Sequence, residues 1–253
     1  MKQKSSYSKE SDLCADFIDA VKRTRYGGDW IIYPETEGFD IVLARASDGL
    51  QIGVEAKLRL NVEVVCQALP HRADYGFLGP DHRAVLVPRE KTQIGIGSIC
   101  AALGITVIGF SKEQHRIGNG FSPMLPKPED SWREDWHHWC PVRRLKLPEF
   151  IPDVAAGVKA PVQLTAWKIK AIKIAIILEQ RPVTRADFKA LQIDPSRWMD
   201  PWLGWLERTA DGYVAGARMP DFKAQHPVNY EEIKAQVASW LPKESAKQGA
   251  LAI

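Results

Sequence analysis

The segment Leu50 to Leu58 constrains this chain most, because its strict alternation of apolar and polar residues fits a strand and not a helix. Ile52, Val54, Ala56 and Leu58 fall on one side of such a strand, and Gln51, Gly53, Glu55 and Lys57 on the other. Glu55 and Lys57 therefore project from one face, with Cα atoms roughly 6.6 Å apart. The preceding stretch, Phe39 to Arg45, reads as a second strand with Phe39, Ile41 and Leu43 facing one way and Asp40 the other. Ser47-Asp48-Gly49 between the two is hairpin-turn chemistry, so their pairing is expected to bring Asp40 near Glu55.

Around this pair the first 110 residues alternate helix and strand. A helix is expected from about Ser11 to Arg23, with Leu13, Phe17 and Val21 on its inner face, and a strand from Trp30 to Glu35. After the Glu55 strand, Asn61 is a good N-cap for a helix reaching about Leu69, with Val62, Val65, Cys66 and Leu69 on one face. A strand at Ala84 to Val87, a helix from about Thr92 to Leu103 ended by Gly104, and a strand at Ile105 to Phe110 complete an α/β unit with a mixed central sheet.

Residues 111–161 carry Pro123, Pro126, Pro128, Pro141, Pro148 and Pro152, with tryptophans at Trp132, Trp136 and Trp139. They read as a connecting segment packed on a domain surface. A smaller, mostly α domain is expected over 162–242. It opens with an apolar helix from about Thr165 to Glu179 and a short one after Thr184; Asp200 and Pro201 begin a third. A hairpin at Ala210 to Ala217 follows, and Asn229 with Glu232 reads as a capping box opening a helix to about Leu241. Helix, helix, helix, hairpin is the order of a winged helix-turn-helix module, an arrangement that also serves assembly. Residues 243–253 are expected to form a disordered tail.

Two carboxylates converging at a sheet edge repel unless a cation lies between them, and hard oxygen donors suit Mg²⁺ or Mn²⁺. Such an ion lowers the pKa of bound water and neutralises charge on a phosphate under attack. Lys57 beside it can orient or deprotonate the water. Glu10 falls on the inward face of the first helix, whereas Asp12, Asp16 and Asp19 fall on its solvated side, so Glu10 is expected to complete the acid set.

Glu10-x-x-Leu13, Gly38-Phe39-Asp40-Ile41-Val42, Val54-Glu55-Ala56-Lys57 and then Gln67 together resemble the PD-(D/E)XK, or restriction-endonuclease-like, nuclease superfamily over about residues 8 to 110. The resemblance implies an α-β-β-β-α-β core and metal ligation by Asp40, Glu55 and Glu10. It also implies help from Lys57 to the attacking water and contact of Gln67 with the substrate backbone. It favours DNA over RNA. No proline directly precedes Asp40; Pro34 lies in the strand before.

Glu-x-Lys alone is common and usually marks a solvated strand face. His137, His138 and Cys140 read as surface residues, since adjacent histidines do not readily aim at one ion. Four dispersed cysteines without CxxC spacing read as ordinary buried thiols. The tryptophans Trp198, Trp202 and Trp205 read first as core packing. No P-loop, Gly-x-Ser-x-Gly elbow or dinucleotide fingerprint is present.

A net charge of +3 tolerates a polyanion without requiring one. Lys168, Lys170, Lys173 and Arg181 make the second domain's opening locally basic and are candidates for phosphate contact. The expected function is a metal-dependent nuclease in the cytoplasm, without a membrane segment. Its C-terminal module would supply substrate binding, homodimer contacts or recruitment into a larger complex. The alternative is a catalytically silent DNA-binding regulator on the same scaffold, against which the retained cluster of Asp40, Glu55 and Lys57 argues.

Overall fold

The computed structural model describes residues 7–24, 29–69, 78–115, 120–127, 135–158, 162–200 and 202–241. The readings made for Pro128, Trp132, Pro201 and the 243–253 tail lie outside these residues. The chain divides into two compact units, Met1–Gln163 and Leu164–Ile253.

The first unit is α/β. In chain order it contains α1 (Glu10–Arg23), β1 (Trp30–Thr36), β2 (Phe39–Arg45), β3 (Gln51–Ala56), α2 (Val62–Ala68), β4 (His82–Pro88), α3 (Ile94–Ala102), β5 (Ile105–Phe110), α4 (Lys112–His115) and β6 (Phe121–Ser122). The strands form one mixed six-stranded sheet in sequential order. The pairs β1–β2, β2–β3 and β5–β6 are antiparallel, while β3–β4 and β4–β5 are parallel.

The apolar alternation places the sheet between two helical layers. Leu13, Cys14, Phe17, Ala20 and Val21 of α1 pack with Ile41, Leu43, Ile52, Val54 and Ala56 on one face. On the other, Val64, Val65 and Ala68 of α2 and Cys100 of α3 meet Val85, Val87 and Ile105. Residues of the proline-rich segment belong to this unit, with Phe121, Leu125, Trp136 and Ala156 in the α1-side core.

Turns follow local chemistry. The Asn61 side chain caps α2 by accepting from Val64 N at 3.0 Å. In the β2–β3 turn, Asp48 accepts from Leu50 N at 3.1 Å and Gly49 adopts φ +70°. Between β1 and β2, Glu37 and Gly38 both take positive φ, the requirement of a two-residue turn matched to strand twist.

Three details of the first unit depart from the sequence reading. Phe39 does not share a face with Ile41 and Leu43. Its ring packs with Val42 and Leu145 and covers the alpha carbon of Gly53, where a Cβ would stand 2.6 Å from the ring. The buried stripe of α2 is Val64, Val65 and Ala68, leaving Val62 and Cys66 exposed, because the helix presents to β3 and β4 a face rotated from the expected one. Only Cys14 and Cys100 are buried thiols; Cys66 and Cys140 are exposed. Gly53→Ala is expected to cost roughly 1–3 kcal/mol by displacing the Phe39 ring. An unchanged urea midpoint would show that the ring moves freely.

The second unit contains α5 (Ala166–Leu178), α6 (Arg185–Ala190), the hairpin β7 (Leu206–Thr209) and β8 (Gly212–Ala215), then α7 (Phe222–Gln225), α8 (Pro227–Ala235) and α9 (Val237–Trp240). Thr165 caps α5, and Thr184 with Asp187 forms a capping box on α6.

The helix expected after Asp200 is absent among the described residues. Asp200 instead accepts from Trp202 N and Leu203 N, and its carbonyl takes Gly204 N, closing a turn so tight that a Cβ at Gly204 would meet Asp200 O at 2.3 Å. Trp198 and Trp205 are packed together, but Trp202 is 85% exposed. Asn229 is not a cap: α8 begins at Pro227, and the fully buried Asn229 donates to Glu232 from inside the helix.

Candidate functional site

Every residue of β3 is buried, its polar side included. The strand lies between β2 and β4, with helices over both faces. Gln51 resolves its burial by exchanging two hydrogen bonds with the Leu145 backbone, at 3.0 and 2.9 Å. Gly53 resolves it by having no side chain. Glu55 is 6% exposed, and its side chain makes no hydrogen bond or ion pair among the described residues. A buried carboxylate without donors is costly, which sets Glu55 apart from the solvated Glu-x-Lys of an ordinary strand.

The register explains its surroundings. Ile41 pairs with Val54 and Val42 with Gly53; one further step sets Asp40 opposite Glu55. On the other side of Asp40, the pairs Pro34–Ile41 and Thr36–Phe39 bracket Glu35, which lies opposite Asp40. Glu35, Asp40 and Glu55 thus form a row of carboxylates across three adjacent strands. Sequence reasoning missed Glu35. Its signal was present in Glu37-Gly38: a two-residue turn there places Glu35 directly across from Asp40.

Each acid is held differently. Asp40 Oδ2 accepts from Ala56 N at 2.7 Å, which ties β2 to the end of β3. Glu35, 8% exposed and at φ +47°, accepts from Val158 N at 3.2 Å, anchoring the 155–158 loop. That loop crosses the start of α1, where a Cβ at Gly157 would fall 2.8 Å from Cys14 Sγ and 3.1 Å from the Glu10 carbonyl carbon. Glu10 is reached by Lys57 Nζ, which donates to Oε2 at 3.2 Å.

The charges act on one another. Burial, then Asp40, pushes the Glu55 carboxyl up to about 8, against the opposing pull of Lys57. Burial raises Asp40, opposed by the Ala56 N–H and Lys57. Burial lifts Glu35 to about 6 despite the Val158 N–H. For Lys57, burial pulls downward, but the hydrogen bond it donates to Glu10 and the charges of Glu10 and Asp40 outweigh it. Negative charge is in excess here, and Lys57 balances only part of it.

Among the described residues, no three His, Cys, Asp or Glu side chains stand close enough together to hold a metal ion as placed. The donor set nevertheless has the chemistry for one. Glu55 brings a buried carboxylate with no donor among the described residues, and Asp40 brings one whose identified hydrogen bond engages a single oxygen. Gln67 is exposed on α2, and no hydrogen bond or ion pair joins it to the acids among the described residues.

In the second unit the four basic residues have internal partners. Arg181 makes a two-point pair with Asp187 at 2.9 and 2.7 Å. Lys168 and Lys170 donate to Gln225 and to the Gln192 carbonyl, each at 3.3 Å. Lys173 lies 5.5 Å from the centre of the Trp240 ring. Among the described residues, no helix is long and apolar enough to cross a membrane. No family model matches the chain, and no curated protein and no solved structure matches it.

Proposed function

We propose that the first unit is a divalent-metal-dependent phosphodiesterase acting on nucleic acid, with the restriction-endonuclease-like arrangement of PD-(D/E)XK enzymes. The observation that carries this reading is the row of Glu35, Asp40 and Glu55 across β1, β2 and β3, with Glu55 buried and lacking a donor among the described residues and Lys57 beside it. Stability alone gives no reason to keep such a cluster, whereas a cation and a phosphate do.

Asp40 and Glu55 would hold Mg²⁺ or Mn²⁺, with Glu10 completing the set. Bound there, the ion supplies charge neutralisation at the scissile phosphate and an acidified water. Lys57 is held by Glu10 as a cation and enters as a donor, orienting the attacking water or a phosphate oxygen. Glu35 keeps the 155–158 loop against α1 and so positions Glu10. The substrate is DNA by the habit of the family resembled, and the enzyme works in the cytoplasm. The second unit serves as a winged-helix-like module for substrate binding, dimer contacts or recruitment, a reading supported by α5, α6 and the β7–β8 hairpin.

The test is cleavage of plasmid, linear and single-stranded DNA, and of RNA, with Mg²⁺ or Mn²⁺. Metal-dependent cutting is expected, falling about a thousandfold in Glu55→Ala and Lys57→Ala, the scale of losing a group that acts on developing charge. Metal-independent DNA binding without cutting would put a silent DNA-binding scaffold in its place.

A further inference from the structure

Asp81, His138 and Cys140 stand in a line on the first unit, and the acid row makes no use of them. Cys140 Sγ lies 3.1 Å from His138 Nδ1, and the far ring nitrogen, Nε2, lies 3.4 Å from Asp81 Oδ1. The tautomer follows from a third contact. The Cys140 backbone N–H donates to the same Nδ1 at 3.0 Å, so that nitrogen is an acceptor and the ring proton sits on Nε2, toward Asp81. The thiol also reaches the His138 carbonyl at 3.7 Å.

The carboxylate is fixed from behind. Asp81 is almost wholly buried; Oδ2 accepts from Gln51 N at 2.7 Å and pairs with Arg144 Nε at 2.8 Å. The loop bearing the thiol is pinned by Trp139, whose backbone N–H donates to the Asp81 carbonyl at 2.8 Å and whose ring N–H donates to Gly104 O at 2.9 Å. Cys140 takes φ +47°, a conformation uncommon for a non-glycine residue that lets its N–H and its sulfur face one imidazole nitrogen.

A thiol against an imidazole acceptor whose other nitrogen faces a buried carboxylate is the arrangement that activates sulfur nucleophiles. The other thiols lack it. Cys14 and Cys100 are buried, and burial pushes both thiols up, toward the inert protonated form. Cys66 is exposed on α2, and its thiol makes no hydrogen bond among the described residues.

We propose that Cys140 is an activated thiol and the chain's site of modification by small electrophiles, hydroperoxides in particular. Cys140 is open to solvent; the described cavity of about 280 Å³ is lined by Gly104, Asp135 and His137 among others, and not by Cys140. A small reagent needs no pocket. As the Cys140 backbone N–H releases the Nδ1 lone pair, His138 Nδ1 takes the thiol proton, and the sulfur attacks the distal peroxide oxygen. An S–O bond forms as the O–O bond breaks, and the leaving alkoxide or hydroxide recovers the proton from His138. Sulfur loses two electrons to the peroxide, giving a sulfenic acid and an alcohol or water.

Hydrogen peroxide is added to the full chain at pH 7, sulfenic acid is trapped with dimedone, and each cysteine peptide is quantified by mass spectrometry. Cys140 is expected to be trapped about tenfold faster than the exposed Cys66 in the same sample. His138→Gln should bring Cys140 down to the Cys66 rate with an unchanged circular dichroism spectrum. Equal rates at the two cysteines in the wild type overturn the proposal without recourse to any variant. So does a folded His138→Gln protein in which Cys140 keeps its advantage.

Discussion

Glu55→Gln is expected to abolish metal-dependent cleavage and, in chelator at pH 8, to raise the melting temperature of the first unit. Both effects come from one cause. Glu55 is buried, has no donor among the described residues and faces Asp40, so its carboxyl is raised to about 8 from an ordinary value of 4.5. The folded state therefore holds a proton that the unfolded state releases. The contribution of Glu55 to stability is highest below about pH 4.5, falls as pH rises toward 8, and carries the full penalty above that. Glutamine keeps the shape, removes the charge, and offers an N–H₂ to the Asp40 carboxylate.

The variant's advantage should open between pH 5 and 8 and amount to a few kcal/mol at most, or several degrees in a unit of this size. Mg²⁺ or Mn²⁺ should narrow the difference by stabilising the wild type alone, since only the wild type gains a ligand. Thermal melts of both proteins at three pH values, with and without metal, check this directly. If Glu55→Gln melts lower than wild type by the same amount at every pH, Glu55 has a partner in solution and the metal reading loses its main support.

How much of this could be read from residues depends on the range of the interaction. The alternation in β3, the Asn61 cap and the Asp48-Gly49 turn are local, and they match the structure because neighbours in sequence decide them. The pairing of Asp40 with Glu55 was legible because a hairpin converts sequence distance into register. Burial of the polar side of β3 was not legible. It depends on Leu145, nearly a hundred residues away, accepting the Gln51 amide, and on Phe39 turning onto Gly53. The misplaced helix after Asp200 has a local cause of another kind. A helix N-cap and a tight turn use the same carboxylate-to-N–H contacts, and Gly204 decided between them. Cys140 and His138 are two residues apart, but the residue that gives the pair its meaning, Asp81, lies across the fold.

Trp198→Ala is expected to unfold the second unit while the first stays folded. Trp198 is fully buried, with Trp205 at 5.0 Å, Phe188 at 5.4 Å, and Phe222 and Trp167 just beyond 6 Å. Its carbonyl also accepts from Trp205 N and Leu206 N, holding the strand that follows the Asp200 turn. Truncating such a side chain costs about 3–5 kcal/mol, a large share of the stability of a unit this small. Trp198→Phe should cost much less, because the indole N–H it removes is buried without a partner among the described residues. The melt of the alanine variant should show early loss of the tryptophan fluorescence of Trp167 and Trp205, followed by a second transition at the wild-type temperature of the first unit. If the second unit binds substrate, that variant should raise KM while leaving kcat near wild type, since no second-unit residue has been placed in the acid row. A single merged transition would mean that the two units fold cooperatively, and a fall in kcat alone would mean that the second unit reaches into the chemistry.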